Sequence, residues 1–529
     1  MRNSQVAPDV FDPVVNTAAD PEEAGDPGPA QAAAPHGGNA ARFTRTASAL
    51  ARTAWFGPAV ITALLCTWRA SSIEIWLDEL TSVNVASRSW SQILNTLTHV
   101  DAVHGAYYLF LHLWMAVVGT SLFGMRLPGI AAMVGAVVCV AATGQRLFGK
   151  RAGFAAGIFF ALTPAIARYA TELRSYPFVT LAAALASLLL VRAVEQPSRR
   201  RWAGYTAALV MAGLFNLISL TIVIGHAVGL AAYLWRSEER PWLTVRRFAG
   251  SLVVAGAGVF PVVYYGAREG NPQPRPTLHD LFAMGPEAVC SVLGAGVLLA
   301  FGAAAWGNPR LRQVALASAT AALPLPCIWL ISRYVGDSSF FYFARYLLFC
   351  VPAWAVLAGA GATAGRSLRA LPAMLLVFAI AVVPGQNQVH TTYAHSWFNY
   401  PDLAFPQRDY RGAARIVQHA YQRGDAAIIY GMTDIDEGVN FYLPADMQLR
   451  NLMVVNTAAE INNIVPQFCT DFGACLSRPA PRAWLIVPGH PAKPFGGLPP
   501  AEVRAIQSDY SVSYAKQVRG MTISLLVHK

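Results

Sequence analysis

Long apolar runs, repeated along most of the chain, constrain its fold more than any other feature of the sequence. Many are about 16 to 23 residues long, close to the ~20 residues that a helix needs to cross the hydrocarbon core of a bilayer. Only 13% of the 529 residues are charged, whereas soluble domains carry roughly 25%. We therefore predict an all-α polytopic membrane protein with about eleven transmembrane helices. The predicted spans are 54–68, 127–145, 153–168, 176–194, 203–217, 219–235, 248–266, 286–306, 314–332, 346–364 and 370–384.

The distribution of basic residues argues against nucleic acid as a partner. The net charge is +11, but the excess Lys and Arg occurs in short clusters between the apolar runs. Membrane proteins use such clusters to fix their orientation, because cytoplasmic loops carry more Lys and Arg than external loops. We therefore expect a multi-pass protein of the plasma membrane, whose partner is the lipid bilayer, and no binding of nucleic acid.

The same clusters predict an orientation. The short apolar segment 104–119 decides it, because every later loop changes sides if this segment crosses the bilayer. If it does not cross and the N-terminus is cytoplasmic, 18 of the 27 Lys and Arg between residues 42 and 384 lie inside; if it crosses, only 10 do. The first arrangement obeys the positive-inside rule. We therefore predict that 104–119 is a juxtamembrane or re-entrant helix on the outer side.

Composition divides the chain into three parts. Residues 1–45 are rich in Ala, Pro, Gly and Asp and have no apolar periodicity, which predicts a disordered cytoplasmic tail. Residues 46–384 hold the apolar runs and form the predicted transmembrane domain. Residues 385–529 are more polar, and the charge distribution places them outside the cytoplasm.

The last part has the pattern of a small α/β domain. A helical periodicity at 409–423 is followed by strand-like segments at 426–431, 482–489 and 521–528. Cys469 and Cys475 lie six residues apart in "CTDFGAC". Because an extracytoplasmic compartment is oxidising, we predict a disulfide between them, with two free thiols as the alternative.

Polar residues gather beside the apolar runs on the predicted external side. The first external loop holds Glu74, Asp78, Glu79, Asp101 and His104, the second holds Arg168, Glu172, Arg174 and Tyr176, and a later one holds Arg345. Ionisable groups near hydrocarbon are costly unless they are paired or hydrated, which favours a function for them. A carboxylate there can take a proton from a hydroxyl nucleophile, and Arg or His can hold a phosphate. Glycosyl transfer from a lipid-linked sugar phosphate would use every one of these elements.

Structural roles stay open for each of these residues. Asp78 and Glu79 could cap the helix that begins in "ELTSV", since acidic side chains suit a first turn. His104 could be a hydrogen-bonded interfacial histidine. Arg345 could anchor its helix at the interface, and Glu172 could form an ordinary external ion pair with the nearby Arg174.

Six short motifs occur along the chain in an order that is characteristic of one family. They are "WLDE" (76–79), "DAVHGAYYLFLHLW" (101–114), "GTSLFGMRLP" (119–128), "RLFGKR" (146–151), "ELRSY" (172–176) and "ARYLL" (344–348). Taken together they resemble the GT-C glycosyltransferases of the protein mannosyltransferase and aminoarabinose transferase type, over roughly residues 54–364. The resemblance implies that 46–384 is a catalytic domain of membrane helices, with juxtamembrane helices in the first external loop.

The resemblance also implies a chemistry. Enzymes of this family transfer a sugar from a polyprenyl phosphate, with inversion, to an acceptor on the extracytoplasmic face. Here the sugar would be mannose or another hexose or pentose, and the acceptor a glycan, a lipid or a protein. Asp78 would be the general base, Glu79 and Glu172 would orient the acceptor or assist, His104, Arg345 and Arg174 would contact the donor phosphate, and Asp101 and Tyr176 are further candidates for the acceptor or a metal shell. The carboxylates could also hold a divalent cation.

Two other classes of protein stay open. A transporter of a lipid-linked or small polar substrate would also place polar groups in the membrane. Such a protein would be expected to show related halves and charges deep within its spans, whereas here the charge gathers at one interface. A non-catalytic scaffold that presents the C-terminal domain is the other alternative, and it would tolerate substitution of Asp78 and Arg345.

Overall fold

The structure is a computed structural model. It describes residues 54–235, 241–269, 275–335, 342–365, 370–394, 407–477, 479–488 and 494–529. The predicted tail at residues 1–45 lies outside these ranges. Residues from Ala51 to Lys529 cluster as one compact unit, so contacts between the membrane helices and the C-terminal region can be described directly.

Helices build nearly all of the structure before residue 390. They are α1 (Phe56–Thr67), α2 (Leu77–Ala86), α3 (Trp90–His99), α4 (Gly105–Val118), α5 (Leu122–Phe148), α6 (Lys150–Leu162), α7 (Pro164–Ala170), α8 (Tyr176–Glu195), α9 (Arg199–Phe215), α10 (Ile222–Leu234), α11 (Pro241–Gly266), α12 (Leu278–Val289), α13 (Val292–Ala304), α14 (Leu311–Ala322), α15 (Pro324–Tyr334), α16 (Val351–Ala362) and α17 (Leu371–Val389). Short 3₁₀ turns at Ala102–His104, Leu217–Thr221, Ala305–Gly307 and Ala344–Cys350 connect some of them.

The predicted class, an all-α polytopic membrane protein, is confirmed. Seven helices of the described chain are long and apolar enough to cross a bilayer, or nine if the bent pairs α6–α7 and α12–α13 each count as one span. Helix α1 has 12 residues and α9 has 17, so α1 is shorter than the ~17 to 25 residues of a typical crossing and α9 lies at the lower limit. Helix α4, within the segment 104–119, has 14 residues and is also shorter than a crossing requires.

Small residues let the membrane helices approach closely. A Cβ at Gly361 of α16 would lie 1.7 Å from the carbonyl oxygen of Phe301 in α13, so only glycine fits at this crossing. The opposite faces of several helices leave large apolar side chains exposed, including Val253 on α11 and Ile380 on α17. Such faces are expected where lipid replaces water as the solvent.

The C-terminal region is a small α/β layer, as the sequence predicts. Its helices are α18 (Tyr410–Ala420), α19 (Thr433–Tyr442), α20 (Phe472–Cys475) and α21 (Pro500–Asp509), and its strands are β1 (Ala426–Ile428), β2 (Arg450–Asn451), β3 (Val454–Asn456), β4 (Gln467–Phe468), β5 (Arg482–Pro488), β6 (Tyr510–Val518) and β7 (Met521–His528). The main sheet has the order β2-β1-β5-β7-β6, parallel at β2-β1-β5 and antiparallel at β5-β7-β6.

Two details of this region bear on the sequence predictions. Strand β6 was not predicted, because it is an edge strand whose side chains are mostly exposed, so it lacks the apolar run that marks β5 and β7. Cys469 and Cys475 are joined by a disulfide, with their Cα atoms 6.5 Å apart.

Candidate active site

Helix α2 carries both acids of the "WLDE" motif at its start. Trp76 has extended backbone and precedes the helix, and its N–H donates to Glu79 Oε2 at 3.3 Å. Asp78 and Glu79 thus lie in the first turn, where the helix dipole favours negative charge. Because successive residues of a helix point about 100° apart, the two neighbouring carboxylates enter different environments.

Asp78 points toward two arginines from distant parts of the chain. Its Oδ2 lies 3.9 Å from Nη2 of Arg174, which precedes α8, and 3.9 Å from Nη2 of Arg345, in the 3₁₀ turn before α16. These distances allow ion pairing but are too long for hydrogen bonds. The Asp78 side chain keeps 18% of its surface exposed, more than either guanidinium group. It is therefore a partly accessible carboxylate between two cations.

Arg174 is held by polar groups of the segment from α2 to α4. Its Nη1 lies 3.3 Å from Ser82 Oγ and 3.4 Å from Tyr108 Oη, and its Nη2 lies 2.9 Å from His104 Nε2. The residue is only 6% exposed. These contacts fix the guanidinium group beside Asp78 without neutralising its charge.

The contact between Arg174 and His104 sets the tautomer of the imidazole. A guanidinium group can only donate, so His104 Nε2 accepts, and Nδ1 carries the proton that is donated to Asp101 Oδ1 at 2.7 Å. Tyr108 donates its hydroxyl proton to the other oxygen of Asp101. Both ring nitrogens of His104 are therefore engaged by protein groups.

Asp101 accepts these two hydrogen bonds as an anion. Burial alone would raise the pKa of its carboxyl group, but His104 and Arg174 together hold that pKa well below its usual value. Its backbone is in the left-handed region, with φ of 62°, a conformation that non-glycine residues adopt at a cost. The following turn is tied to the end of α11, because Glu269 Oε1 accepts from the N–H of Ala102 at 2.7 Å.

Arg345 is surrounded by aromatic rings. Its guanidinium carbon lies 4.7 Å from the ring centroid of Phe343, 5.3 Å from that of Tyr346 and 5.7 Å from that of Trp76. Contacts of this kind orient an arginine through cation–π attraction. Arg345 is thereby held beside Asp78.

Glu79 has a different environment from its neighbour. Its two oxygens lie 3.1 and 3.3 Å from Nη2 of Arg126, and Oε1 accepts from the N–H of Leu173 at 2.9 Å. Neither Glu79 nor Arg126 has an exposed side chain. Sequence reasoning did not select Arg126, although it belongs to the "GTSLFGMRLP" motif, and this motif is the signal that could have found it.

Glu172 and Tyr176 lie behind the exposed carboxylate. They are 2% and 1% exposed. Glu172 interacts electrostatically with Arg168, and the ring of Tyr176 makes edge contacts with Tyr169 and Tyr346 at centroid distances of 5.6 and 5.9 Å. Their contacts in the structure are with protein groups.

The carboxylates do not fit a metal site. Within the described part of the chain, no group of three or more His, Cys, Asp and Glu side chains is arranged to hold a metal ion. Asp78 faces two arginines, and Glu79 is closed off by Arg126. We therefore assign no role to the predicted divalent cation.

The fold resembles that of solved membrane enzymes. It superimposes on ArnT from Cupriavidus metallidurans in the apo state with a TM-score of 0.60 and 13% identity, over 89% of this chain and 97% of that chain. The crystal structure of the same enzyme bound to undecaprenyl phosphate gives 0.58 and 14%, over 89% and 98%. An oligosaccharyltransferase from Archaeoglobus fulgidus also matches, with a TM-score of only 0.43 and 12% identity, over 79% and 63%. At these identities the likeness concerns the fold.

One segment of the chain also resembles a known protein family. Residues 106–265, from α4 to the end of α11, match the dolichyl-phosphate-mannose-protein mannosyltransferase family. No curated protein matches the chain. Both comparisons agree with the predicted class: residues 106–265 match a glycosyltransferase family, and the fold resembles that of ArnT. The matched segment contains Glu172, Arg174 and Tyr176 but ends short of Asp78 and His104 on one side and Arg345 on the other.

Proposed function

We propose that this enzyme transfers a sugar from a polyprenyl phosphate to a hydroxyl group of an extracytoplasmic acceptor, with Asp78 as the general base. One observation carries the proposal: the Asp78 carboxylate is partly exposed and lies 3.9 Å from both Arg174 and Arg345. A proton acceptor and two phosphate-binding cations therefore converge on one point, which is what a displacement at a sugar phosphate needs.

The reaction is a single displacement. The acceptor oxygen attacks C1 of the sugar and forms the new glycosidic bond, while the bond from C1 to the phosphate oxygen breaks. The hydroxyl proton passes to Asp78, and polyprenyl phosphate leaves as an anion. Because attack and departure occur on opposite faces of C1, the configuration is inverted.

The two arginines would stabilise the leaving phosphate. A guanidinium group binds phosphate through paired N–H donors, and such charge-assisted bonds strengthen as negative charge develops on the leaving group. At 3.9 Å from Asp78, both guanidinium groups lie beside the carboxylate without a direct hydrogen bond to it. In this role Arg174 and Arg345 are catalytic residues.

His104 would act through Arg174 rather than touch the phosphate. Its Nε2 accepts from Arg174 and its Nδ1 donates to Asp101, so neither nitrogen is available to a donor phosphate. We therefore assign His104 and Asp101 as positioning residues. This differs from the direct phosphate contact that the family resemblance implies for His104.

Glu79, Glu172 and Tyr176 would also position other groups. Glu79 accepts from Arg126 and from the backbone of Leu173, and thereby ties α2 to the segment that carries Arg174. Glu172 and Tyr176 are buried behind that segment. A role in orienting the acceptor would require them to reach the exposed side of Asp78.

The surroundings suit a lipid-linked donor. An apolar groove of about 530 Å³ runs beside α4, α5 and α8 and is lined by Phe110, Trp114, Leu127, Pro128, Ala131, Ala132, Phe178 and Leu181. Arg174 and Tyr176 lie at the start of α8, so the groove leads along the helices that frame the site. A polyprenyl tail could occupy it, by analogy with the ArnT structure that contains undecaprenyl phosphate. The charge count favours the extracytoplasmic side for this chemistry.

The test uses the full-length protein in lipid nanodiscs. Polyprenyl-phosphate sugars carrying different radiolabelled hexoses and pentoses are offered one at a time, together with cell-envelope extract as the source of acceptor. The expected result is consumption of at least one donor, with release of polyprenyl phosphate and transfer of label. If no donor is consumed and none binds, the proposal is wrong.

A further inference from the structure

The C-terminal region contacts the segment that leads into α2. The backbone carbonyl of Glu74 accepts from Gln407 Nε2 at 3.0 Å, and its carboxylate accepts from the backbone N–H of Arg411 at 3.0 Å. The Arg411 side chain adds an ion pair, with Nε 3.7 Å from Glu74 Oε2. Glu74 is only 1% exposed. The chain is thus held four residues before Asp78.

The same region also holds the other end of α2. Arg88 follows the helix and is 6% exposed. Its Nη1 donates to the carbonyl oxygen of Asn463 at 2.8 Å, and its Nη2 donates to Asn84 Oδ1, on the last turn of α2, at 2.7 Å. The C-terminus of the helix is therefore linked through one arginine to the backbone of the C-terminal region.

Apolar packing joins the two regions between these ends. Leu80 and Val83 of α2 belong to the same buried cluster as Ile435 and Val439 of α19, and the two helices are in contact. At 100° per residue, Leu80 and Val83 lie about 200° and 140° around the helix from Asp78. The C-terminal region therefore packs against the face of α2 that is opposite the Asp78 carboxylate.

From these contacts we propose that the C-terminal region is a positioning element for the reaction: it holds α2 at both ends and on its rear face, and thereby fixes the Asp78 carboxylate between Arg174 and Arg345. The inference rests on the function proposed above. A displacement of about 1 Å at a reacting group can cost about 10²-fold in rate, and groups in a site hold their geometry only when supporting contacts lock them. Helix α2 has only 10 residues, too few to supply that support alone.

Arg411→Met tests the proposal, because it removes the ion pair to Glu74. Arg482→Met is the matched control: Arg482, at the start of β5, forms a similar half-buried ion pair within the same region, with Nε 3.2 Å from Asp425 Oδ1. Both variants are compared with the wild type, as full chains in nanodiscs. The readouts are the rate of sugar transfer, the KM for the donor, and hydrogen exchange of the backbone amides of residues 74–86.

For Arg411→Met we expect kcat to fall about tenfold or more with less than a twofold change in KM, and we expect faster exchange in residues 74–86. Arg482→Met should leave all three readouts as in the wild type. Arg411→Lys, which keeps the charge, should restore much of the loss. Equal behaviour of the Arg411→Met and Arg482→Met variants would overturn the proposal.

Two further variants cover the case in which Arg411→Met does not fold and the case in which the proposed function is wrong. If Arg411→Met does not fold, Gln407→Leu removes the hydrogen bond to the Glu74 carbonyl, and the same two outcomes apply to it. Asp78→Asn separates this inference from the proposed function. If Asp78→Asn stays active, the proposed function fails, whereas the exchange data still report whether the C-terminal region holds α2.

Discussion

The two faces of α2 carry neighbouring carboxylates with opposite surroundings. On the open face, Asp78 is partly exposed and lies 3.9 Å from two arginines. On the sealed face, Glu79 has no exposed side-chain surface and lies 3.1 Å from Arg126. The same functional group therefore occurs once in a partly exposed ion pair and once in a buried one. An ion pair that is loose and accessible can exchange its partner for a substrate, whereas one that is tight and buried cannot.

Arg126→Met should break the sealed face and produce the largest effect on stability. The substitution leaves the Glu79 carboxylate buried without its cation, which costs about 3–5 kcal/mol in the free energy of unfolding. Denaturation of the purified protein in mild detergent measures this loss. Asp78→Asn serves as the comparison on the open face, and it should change the unfolding free energy by less than about 1 kcal/mol. Similar losses in both variants would contradict the distinction between the faces.

Glu74, a third acidic residue of the same segment, makes the free energy of unfolding depend on pH. Burial raises the pKa of its carboxyl group from 4.5 to about 7, more than the neighbouring Arg411 lowers it. The folded state therefore keeps a proton that the unfolded state releases, so the free energy of unfolding should fall as pH rises from 4.5 to about 7 and then level off. The contribution is at most about 3 kcal/mol. Glu74→Gln should remove this part of the pH dependence, which parallel pH titrations of unfolding would detect.

Arg174→Met tests whether the cations on the open side of Asp78 bind the donor phosphate. The variant loses one of the two cations beside Asp78, and a charge-assisted hydrogen bond contributes about 1.5–3 kcal/mol, so affinity for polyprenyl phosphate should fall about 10- to 100-fold. Binding is measured by calorimetry in nanodiscs. Arg146→Met is a suitable control, because Arg146 pairs with Glu195 in a half-exposed bridge at the far end of the membrane helices. Unchanged donor affinity in Arg174→Met would remove this arginine from the phosphate site.

His104→Ala should have a smaller effect, because His104 acts only through Arg174. We expect a loss of about tenfold in the transfer rate, equivalent to roughly 1.4 kcal/mol. His104→Gln should recover most of the rate, since the amide oxygen can accept from Arg174 as Nε2 does. A direct contact with the phosphate would instead predict similar losses for both variants.

Much of the fold could be predicted from the sequence, because its signals are local. The apolar runs marked the membrane helices, and the alternation of apolar and turn residues marked β1, β5 and β7. The number of spans could not be read in the same way. Helix α9 matches a run at 203–217, yet it begins at Arg199 with three consecutive arginines, and helices α6 and α7 meet at a 59° bend that hydropathy does not reveal.

The residues of the candidate site could be predicted from the sequence, but the groups that their side chains contact could not. The motifs selected Asp78, Asp101, His104, Arg174 and Arg345, which the structure joins in one network of contacts. Only the family resemblance distinguished Asp78 from Glu79, because the environments of the two carboxylates differ only once the helix turns. The sequence could not show that Arg126, 47 residues away, closes the Glu79 side, since that contact depends on the tertiary packing of α2 against α5.

The most direct test of the central claim compares Asp78→Asn with the wild type for transfer of sugar and for binding of polyprenyl phosphate. A general base contributes about 10²- to 10⁴-fold to a rate. We therefore predict that Asp78→Asn loses transfer by that factor while it folds normally and binds polyprenyl phosphate at least as well as the wild type. An Asp78→Asn enzyme with full transfer activity would contradict the account.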